Sequence, residues 1–153
     1  NVVRTMSRIV RSAETMGNVP PLNHIPRTKR GVVSYSANDI AQRLNARAIV
    51  TFTTSGDTAR RVARLHPDLP LLVFTPVQQV RSQLAMTWGA ETFLCDEVNS
   101  TDEMVKVVDK QLLAMDQYHE GDTMVVVAGT PPGVAGTTNT ILVHQLGEDT
   151  RNP

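Results

Sequence analysis

The sequence has 153 residues but a single cysteine, few aromatic residues (4%) and no net charge at pH 7, with 15 basic and 15 acidic residues. A lone cysteine cannot form an internal disulfide, which excludes a disulfide-stabilised secreted scaffold and favours a reducing, cytoplasmic compartment. Dedicated nucleic-acid or membrane-surface binders normally carry excess positive charge, so neither partner is expected. No apolar run approaches the roughly 20 residues that span a bilayer. The 41% hydrophobic content instead indicates a globular domain with a sizeable core.

The first 30 residues differ in pattern from the rest. Four apolar residues near the start recur at helical spacing: Val3, Met6, Val10 and Ala13. They predict a helix over residues 1–17, and the three prolines in residues 18–30 indicate a linker before an α/β domain at 31–153. Because the chain opens with Asn1 and enters the helical pattern at once, we expect it to be a piece of a longer protein.

Helical and β-branched segments alternate along the main domain. Helices are predicted from Val33 and over residues 57–65, 77–87 and 101–118, and strands over residues 48–52, 71–74, 92–94 and 123–127. This alternation predicts parallel strands with right-handed crossovers, hence a three-layer α/β/α sandwich. The last strand, residues 140–146, follows a Gly/Pro-rich loop without a crossover helix, so we expect it to be antiparallel.

Three consecutive hydroxyl residues follow the first strand at the beginning of a helix: Thr53, Thr54 and Ser55. Ligands of open α/β sheets gather at the carboxyl ends of the strands, and hydroxyl and amide donors beside Gly56 suit a phosphate. The alternative is simple N-capping of the helix by Ser55 or Asp57. The Asp57 carboxylate favours that alternative, because it would repel a phosphate.

The loop after the fourth strand carries Gly129, Gly133 and Gly136 with two prolines between them. It lacks the Gly-Lys-Ser/Thr of a P-loop, and it does not follow the first strand as a dinucleotide fingerprint would. It either reverses the chain before the last strand, or covers a ligand at the sheet edge, or does both.

The sequence gives little indication of a metal site or of catalytic groups. The four histidines have no metal-ligand spacing and predict no metal site: His24, His66, His119 and His144. Cys95 is expected to be a packed thiol rather than a nucleophile. No set of nucleophile, base and orienting group is recognisable, which disfavours a free-standing hydrolase.

Three stretches resemble the C-terminal domain of pyruvate kinase. Residues 3–10 resemble the helix that closes the catalytic barrel, residues 52–60 the effector-phosphate loop with its Thr-x-Ser-Gly-x-Ser/Thr pattern, and residues 121–140 the Gly-rich loop and Thr-Asn-Thr ending. Residues 24–31 and 84–89 resemble actinobacterial members most closely. The resemblance implies a five-stranded mixed sheet with four parallel strands and an antiparallel last strand.

The resemblance also implies a role. The parent enzyme would transfer a phosphoryl group from phosphoenolpyruvate to ADP, giving pyruvate and ATP in glycolysis. Its magnesium and potassium would be held by a barrel absent from this chain, so the chain alone is expected to be catalytically silent. It would act as an allosteric domain in a homotetramer, assembled partly through the edge strand at residues 140–146.

The effector site that the resemblance implies has two parts and one basic group. The phosphate loop would comprise Thr53, Thr54, Ser55, Gly56 and Thr58; the flap would comprise Gly133, Val134, Ala135 and Gly136. Lys106 would supply the basic group. The family often has a basic residue where Thr54 or Asp57 stands, so these departures favour a monophosphate, such as a hexose phosphate or AMP, over fructose 1,6-bisphosphate. The alternative function is a structural interaction domain with no effector site.

Overall fold

The computed structural model describes residues 2–16, 25–134 and 136–148, which form five helices and five strands. The helices are α1 (Val2–Met16), α2 (Lys29–Arg43), α3 (Asp57–Ala63), α4 (Gln78–Leu84) and α5 (Thr101–Leu112). The strands are β1 (Ala48–Phe52), β2 (Leu71–Thr75), β3 (Ala90–Leu94), β4 (Thr123–Gly129) and β5 (Thr138–Gln145).

The strands form one mixed sheet in the order β3-β2-β1-β4-β5. β1 pairs in parallel with both β2 and β4, β2 pairs in parallel with β3, and β5 runs antiparallel to β4. The predicted five-stranded sheet with an antiparallel last strand is therefore confirmed. The strand order reverses between β1 and β4, so the loops that follow these two strands flank the reversal point, where α/β sheets usually bind ligands.

Alternate residues of the central strands pack into two separate cores, one on each face of the sheet. The sheet between two layers of helices is the predicted three-layer arrangement. All five residues of β1 are buried, as expected for a strand covered on both faces. Ile49 packs with α2, α3 and α4 on one face of the sheet. Val50 packs with α5 on the other face.

Two element boundaries differ from the prediction by more than three residues. The helix predicted over residues 101–118 ends at Leu112. Met115 and Tyr118, which extended the apolar pattern in the sequence, reach the same core from the non-helical residues that follow. α2 begins at Lys29, inside the predicted linker, because the Thr28 hydroxyl caps it by accepting a hydrogen bond from Gly31 N at 3.2 Å. Residues 17–24 of the linker region lie outside the described residues.

α1 is a 15-residue helix in which every residue is exposed. Its apolar side chains include Met6 and Val10, which are 60% and 53% exposed. None of the described helices is long and apolar enough to cross a membrane.

Candidate functional site

A cavity of about 410 Å³ lies at the carboxyl edge of the sheet, at the reversal point between β1 and β4. Its walls come mainly from three loops: the hydroxyl loop (residues 53–56, with Thr58 of α3), the β3–α5 loop (residues 95–99) and the flap (residues 129–134 and 136–138). Pro76, after β2, also contributes. Phe52, Phe74 and Met104 supply its apolar surface. The parallel pairing of β1 and β4 directs two of these loops to the same edge.

The hydroxyl loop is shaped by one side-chain hydrogen bond and one glycine. The nearly buried Thr53 hydroxyl accepts a hydrogen bond from Gly56 N at 2.9 Å, which closes a tight turn directly after β1. Gly56 has a φ of +81°, a left-handed conformation that glycine adopts without strain. A Cβ there would also lie 2.9 Å from the guanidinium of Arg60. The turn leaves Thr54, Ser55 and Thr58 lining the cavity.

The capping alternative has partial support in this geometry. The N-cap residue of α3 is Gly56, which has no side chain, and of the two predicted caps only Ser55 contacts an amide of the first turn. The Ser55 hydroxyl accepts from Asp57 N over a long 3.4 Å, and Asp57 uses its carboxylate elsewhere. Ser55 is exposed, so its hydroxyl is available to a ligand.

Asp57 is neutralised by arginines. Its Oδ2 atom lies 2.8 Å from Arg61 Nε and 3.2 Å from Arg30 Nη1. The hydrogen bond from Arg61, supported by the charges of Arg61, Arg30 and Arg64, lowers the pKa of Asp57 although partial burial opposes this shift. The carboxylate is not part of the cavity wall. The sequence suggests that Asp57 would repel a phosphate. In the structure, its negative charge is paired with the positive charges of Arg30 and Arg61.

A third arginine lies against the hydroxyl loop. Arg60 donates from Nη1 to the Ser55 carbonyl at 3.1 Å and from Nη2 to Gln83 Oε1 at 3.4 Å. Arg30 also approaches the flap, because a Cβ added to Gly136 would lie 3.3 Å from its Nη1 atom. The hydroxyl loop therefore has three positively charged side chains close to it, those of Arg30, Arg60 and Arg61. None of the three lines the cavity.

Hydrogen bonds hold both ends of the flap. At its start, Asn139 Oδ1 accepts from Thr130 N at 2.8 Å and Asn139 Nδ2 donates to Thr130 O at 2.7 Å. At its end, the Thr138 and Thr58 hydroxyl oxygens are 2.7 Å apart and buried. Gly129 fits this close approach, because any Cβ there would collide with Thr137. The flap is therefore connected directly to the hydroxyl loop.

The β3–α5 loop forms the acidic wall of the cavity, with Asp96 and Glu97 both exposed. Its two ends are fixed: Cys95 N donates to Thr75 O at 3.1 Å, and Asn99 N donates to Glu103 Oε2 at 2.7 Å. Burial, and secondarily the charge of Asp96, raises the pKa of the Cys95 thiol. Cys95 is thus a half-buried thiol with a raised pKa in the cavity wall.

The structure brings most of the predicted site residues together. Seven of them line the cavity: Thr53, Thr54, Ser55, Thr58, Gly133, Val134 and Gly136. Gly56 shapes the turn without lining the cavity, and Ala135 lies outside the described residues.

Lys106 does not reach the cavity. Met104 of the same helix lines it, and the 100° rotation per residue of an α-helix turns Lys106 to the exposed side of α5. Sequence analysis assigned no role to Asp96 and Glu97, although they follow β3 at the same sheet edge. It also missed Arg30, whose contact with Asp57 spans 27 residues of sequence.

Within the described part of the chain, no group of three or more His, Cys, Asp or Glu side chains could hold a metal ion. The cavity combines hydroxyl donors that have arginines nearby, the carboxylates of the β3–α5 loop and a flap between β4 and β5.

Comparison of the sequence with known proteins places this chain in a family. Residues 32–144 match the family model described as pyruvate kinase, alpha/beta domain. A pyruvate kinase of Corynebacterium efficiens is 73% identical over 153 residues, covering 100% of this chain and 32% of the relative. One of Mycobacterium tuberculosis (strain H37Rv) is 60% identical over 148 residues, covering 96% of this chain and 31% of the relative.

A more distant relative extends the likeness beyond these two genera. A pyruvate kinase of Clostridium acetobutylicum is 34% identical over 147 residues, covering 93% of this chain and 31% of the relative. The chain therefore spans about a third of the length of these curated relatives. The high identity to the Corynebacterium and Mycobacterium proteins confirms the predicted resemblance to actinobacterial members.

Proposed function

From the premise that the chain belongs to the pyruvate kinase α/β domain family, we propose that it is a regulatory domain that binds a phosphorylated effector in the cavity between the hydroxyl loop and the flap. The effector is a monophosphate, such as a hexose phosphate or AMP. The observation that carries this proposal is the convergence of Thr54, Ser55 and Thr58 on one cavity at the reversal point of the sheet.

The chemistry of the loop suits a phosphate group. Hydroxyl groups donate hydrogen bonds to phosphate oxygens, and the arginine charges of Arg30, Arg60 and Arg61 add a favourable field behind them. The Thr54 hydroxyl makes no hydrogen bond to any described residue, so it is free to donate to a ligand. The cavity volume of about 410 Å³ falls within the range of small-molecule sites, about 300–1,000 Å³.

The parent protein is proposed to transfer phosphate from phosphoenolpyruvate to ADP, giving pyruvate and ATP in glycolysis. Magnesium and potassium would be held by its catalytic barrel, outside this chain, and the chain alone would have no activity. Residues 1–17 would be the last helix of that barrel, with the apolar side of α1 packed against it, and residues 18–30 the linker. The exposure of Met6 and Val10 supports this assignment.

The domain is further proposed to help assemble a homotetramer through β5. This strand lies at one edge of the sheet, and Val143 in its centre is 46% exposed. An edge strand carries unpaired backbone groups that can pair with a second strand. Effector binding would regulate the enzyme if the effector had different affinities for two arrangements of the tetramer.

Titration calorimetry with glucose 6-phosphate and AMP tests the effector site. We expect at least one ester to bind, and Ser55→Asp to weaken its binding at least tenfold, because the new carboxylate faces the phosphate. Ser82→Asp is the matched control, since Ser82 is exposed on α4 away from the cavity and should change nothing. Unchanged binding in Ser55→Asp would refute the loop assignment. A chain that forms oligomers but ignores both esters would support the structural alternative.

A further inference from the structure

The charges around the cavity are distributed unequally. Among the described residues that line it, only Asp96 and Glu97 carry a charge, and both are acidic. The arginines lie behind the hydroxyl loop, where Arg60 contacts the Ser55 carbonyl and Arg30 contacts Asp57. A ligand in the cavity therefore meets donors and positive charge at the hydroxyl loop and carboxylates at the β3–α5 loop.

The acidic wall is held in place through backbone amides, while the Asp96 and Glu97 side chains have no hydrogen-bond or ion-pair partner among the described residues. The segment is anchored through Cys95 N and Asn99 N, as described above. The Asp96 charge does act on the cavity wall, since it contributes to the raised pKa of the neighbouring Cys95.

We propose that Asp96 and Glu97 are specificity-determining residues of this site: they select a phosphate monoester whose other end carries hydroxyl or amino donors, and they reject a bisphosphate. This inference rests on the proposed effector site. Carboxylates form strong, charge-assisted hydrogen bonds with such donors. A second phosphate would instead bring a charge of roughly −1.5 to −2 toward two negative side chains. Among the described residues, no basic side chain lines the cavity to neutralise it.

Fructose 6-phosphate and fructose 1,6-bisphosphate form a matched pair of probes, because they differ by one phosphate on the same sugar. Calorimetry on the unaltered chain is expected to show at least tenfold tighter binding of the monophosphate. In the double variant Asp96→Asn/Glu97→Gln, binding of the bisphosphate should tighten at least tenfold, while binding of the monophosphate tightens no more than about threefold. Both replaced side chains are exposed, so the fold should tolerate the change.

The matched control is Asp68→Asn/Glu120→Gln, which removes the same two charges from exposed positions outside the cavity. This control should leave the preference for the monophosphate unchanged. It thereby separates an effect of the two carboxylates in the cavity from an effect of the net charge of the chain. Equal or tighter binding of the bisphosphate by the unaltered chain overturns this inference alone, as does an equal change for both probes in the double variant. Absence of binding by every phosphate ester tested overturns the proposed effector site, and this inference with it.

Discussion

The hydroxyl oxygens of Thr58 and Thr138 lie 2.7 Å apart in a buried position and join the first turn of α3 to the first residue of β5. Thr58 lines the proposed effector cavity, and β5 is the proposed subunit-contact strand. Thr138 lines the same cavity, so the hydroxyl pair joins the proposed effector site to the first residue of the edge strand.

Replacing Thr58 by Val should lower the free energy of unfolding by about 1–3 kcal/mol, because it leaves the buried Thr138 hydroxyl without its partner. The double variant Thr58→Val/Thr138→Val should cost less than the sum of the two single variants, since it removes both polar groups. Urea unfolding of the four proteins measures this coupling. Strictly additive losses would show that the hydroxyl pair contributes nothing.

Asp57→Asn should reduce stability at neutral pH by about 0.5–1 kcal/mol, the range for partly exposed ion pairs. The hydrogen bond from Arg61 lowers the folded-state pKa of Asp57 below its ordinary value of 3.8. The folded state therefore binds this proton less readily than the unfolded state. Stabilisation by Asp57 is complete above the unfolded pKa and is lost as the pH falls through the lowered folded pKa.

Urea unfolding at pH 7 and pH 2.5 checks this dependence. The difference between the Asp57→Asn variant and the unaltered chain should shrink at the lower pH. The exposed Asp68, which has no ion-pair partner among the described residues, provides the control variant Asp68→Asn. A difference that stays constant with pH would contradict the role of the Arg30–Asp57–Arg61 cluster.

Cys95 should react with iodoacetamide at pH 8 at least about threefold more slowly than free cysteine, because burial raises its pKa and lowers the thiolate fraction. Asp96→Asn should increase the rate without restoring it fully, since burial is the larger cause. Mass spectrometry over time measures both rates. A rate as fast as that of free cysteine would mean that the cavity wall is not formed as described.

Val143→Glu should shift the chain toward smaller species in sedimentation velocity, because it places a charge in the middle of the proposed contact strand. Leu94→Glu on β3 is the control, as Leu94 is exposed to a similar degree, 50% against 46%, on the opposite edge strand of the sheet. If both variants sediment like the unaltered chain, β5 does not mediate assembly.

The sheet was predictable because its signals are local. β1 and β2 are buried throughout, so their continuous apolar sequences identify them, and the missing crossover helix before β5 indicates its direction. The hydroxyl loop was predictable for the same reason, since it follows β1 immediately.

What the sequence could not show depends on contacts between distant residues. In the sequence, Asp57 suggests that the loop would repel a phosphate. Arg30, which pairs with this carboxylate, is 27 residues earlier in the chain and comes close to it only in the fold. The Thr58–Thr138 contact joins residues 80 positions apart. Lys106 illustrates the converse: its position in sequence suggests proximity to the sheet edge, but the rotation of α5 turns it to the exposed side of the helix.

The central claim is that the hydroxyl loop and flap hold a phosphate group, and amide chemical shifts of the isotope-labelled chain test it most directly. On titration with glucose 6-phosphate or AMP, the account predicts the largest shift changes at Thr54, Ser55 and Thr58 and at Gly133 and Gly136, all of which line the cavity. Shift changes concentrated elsewhere on the chain, with these five amides unmoved at saturation, would contradict it.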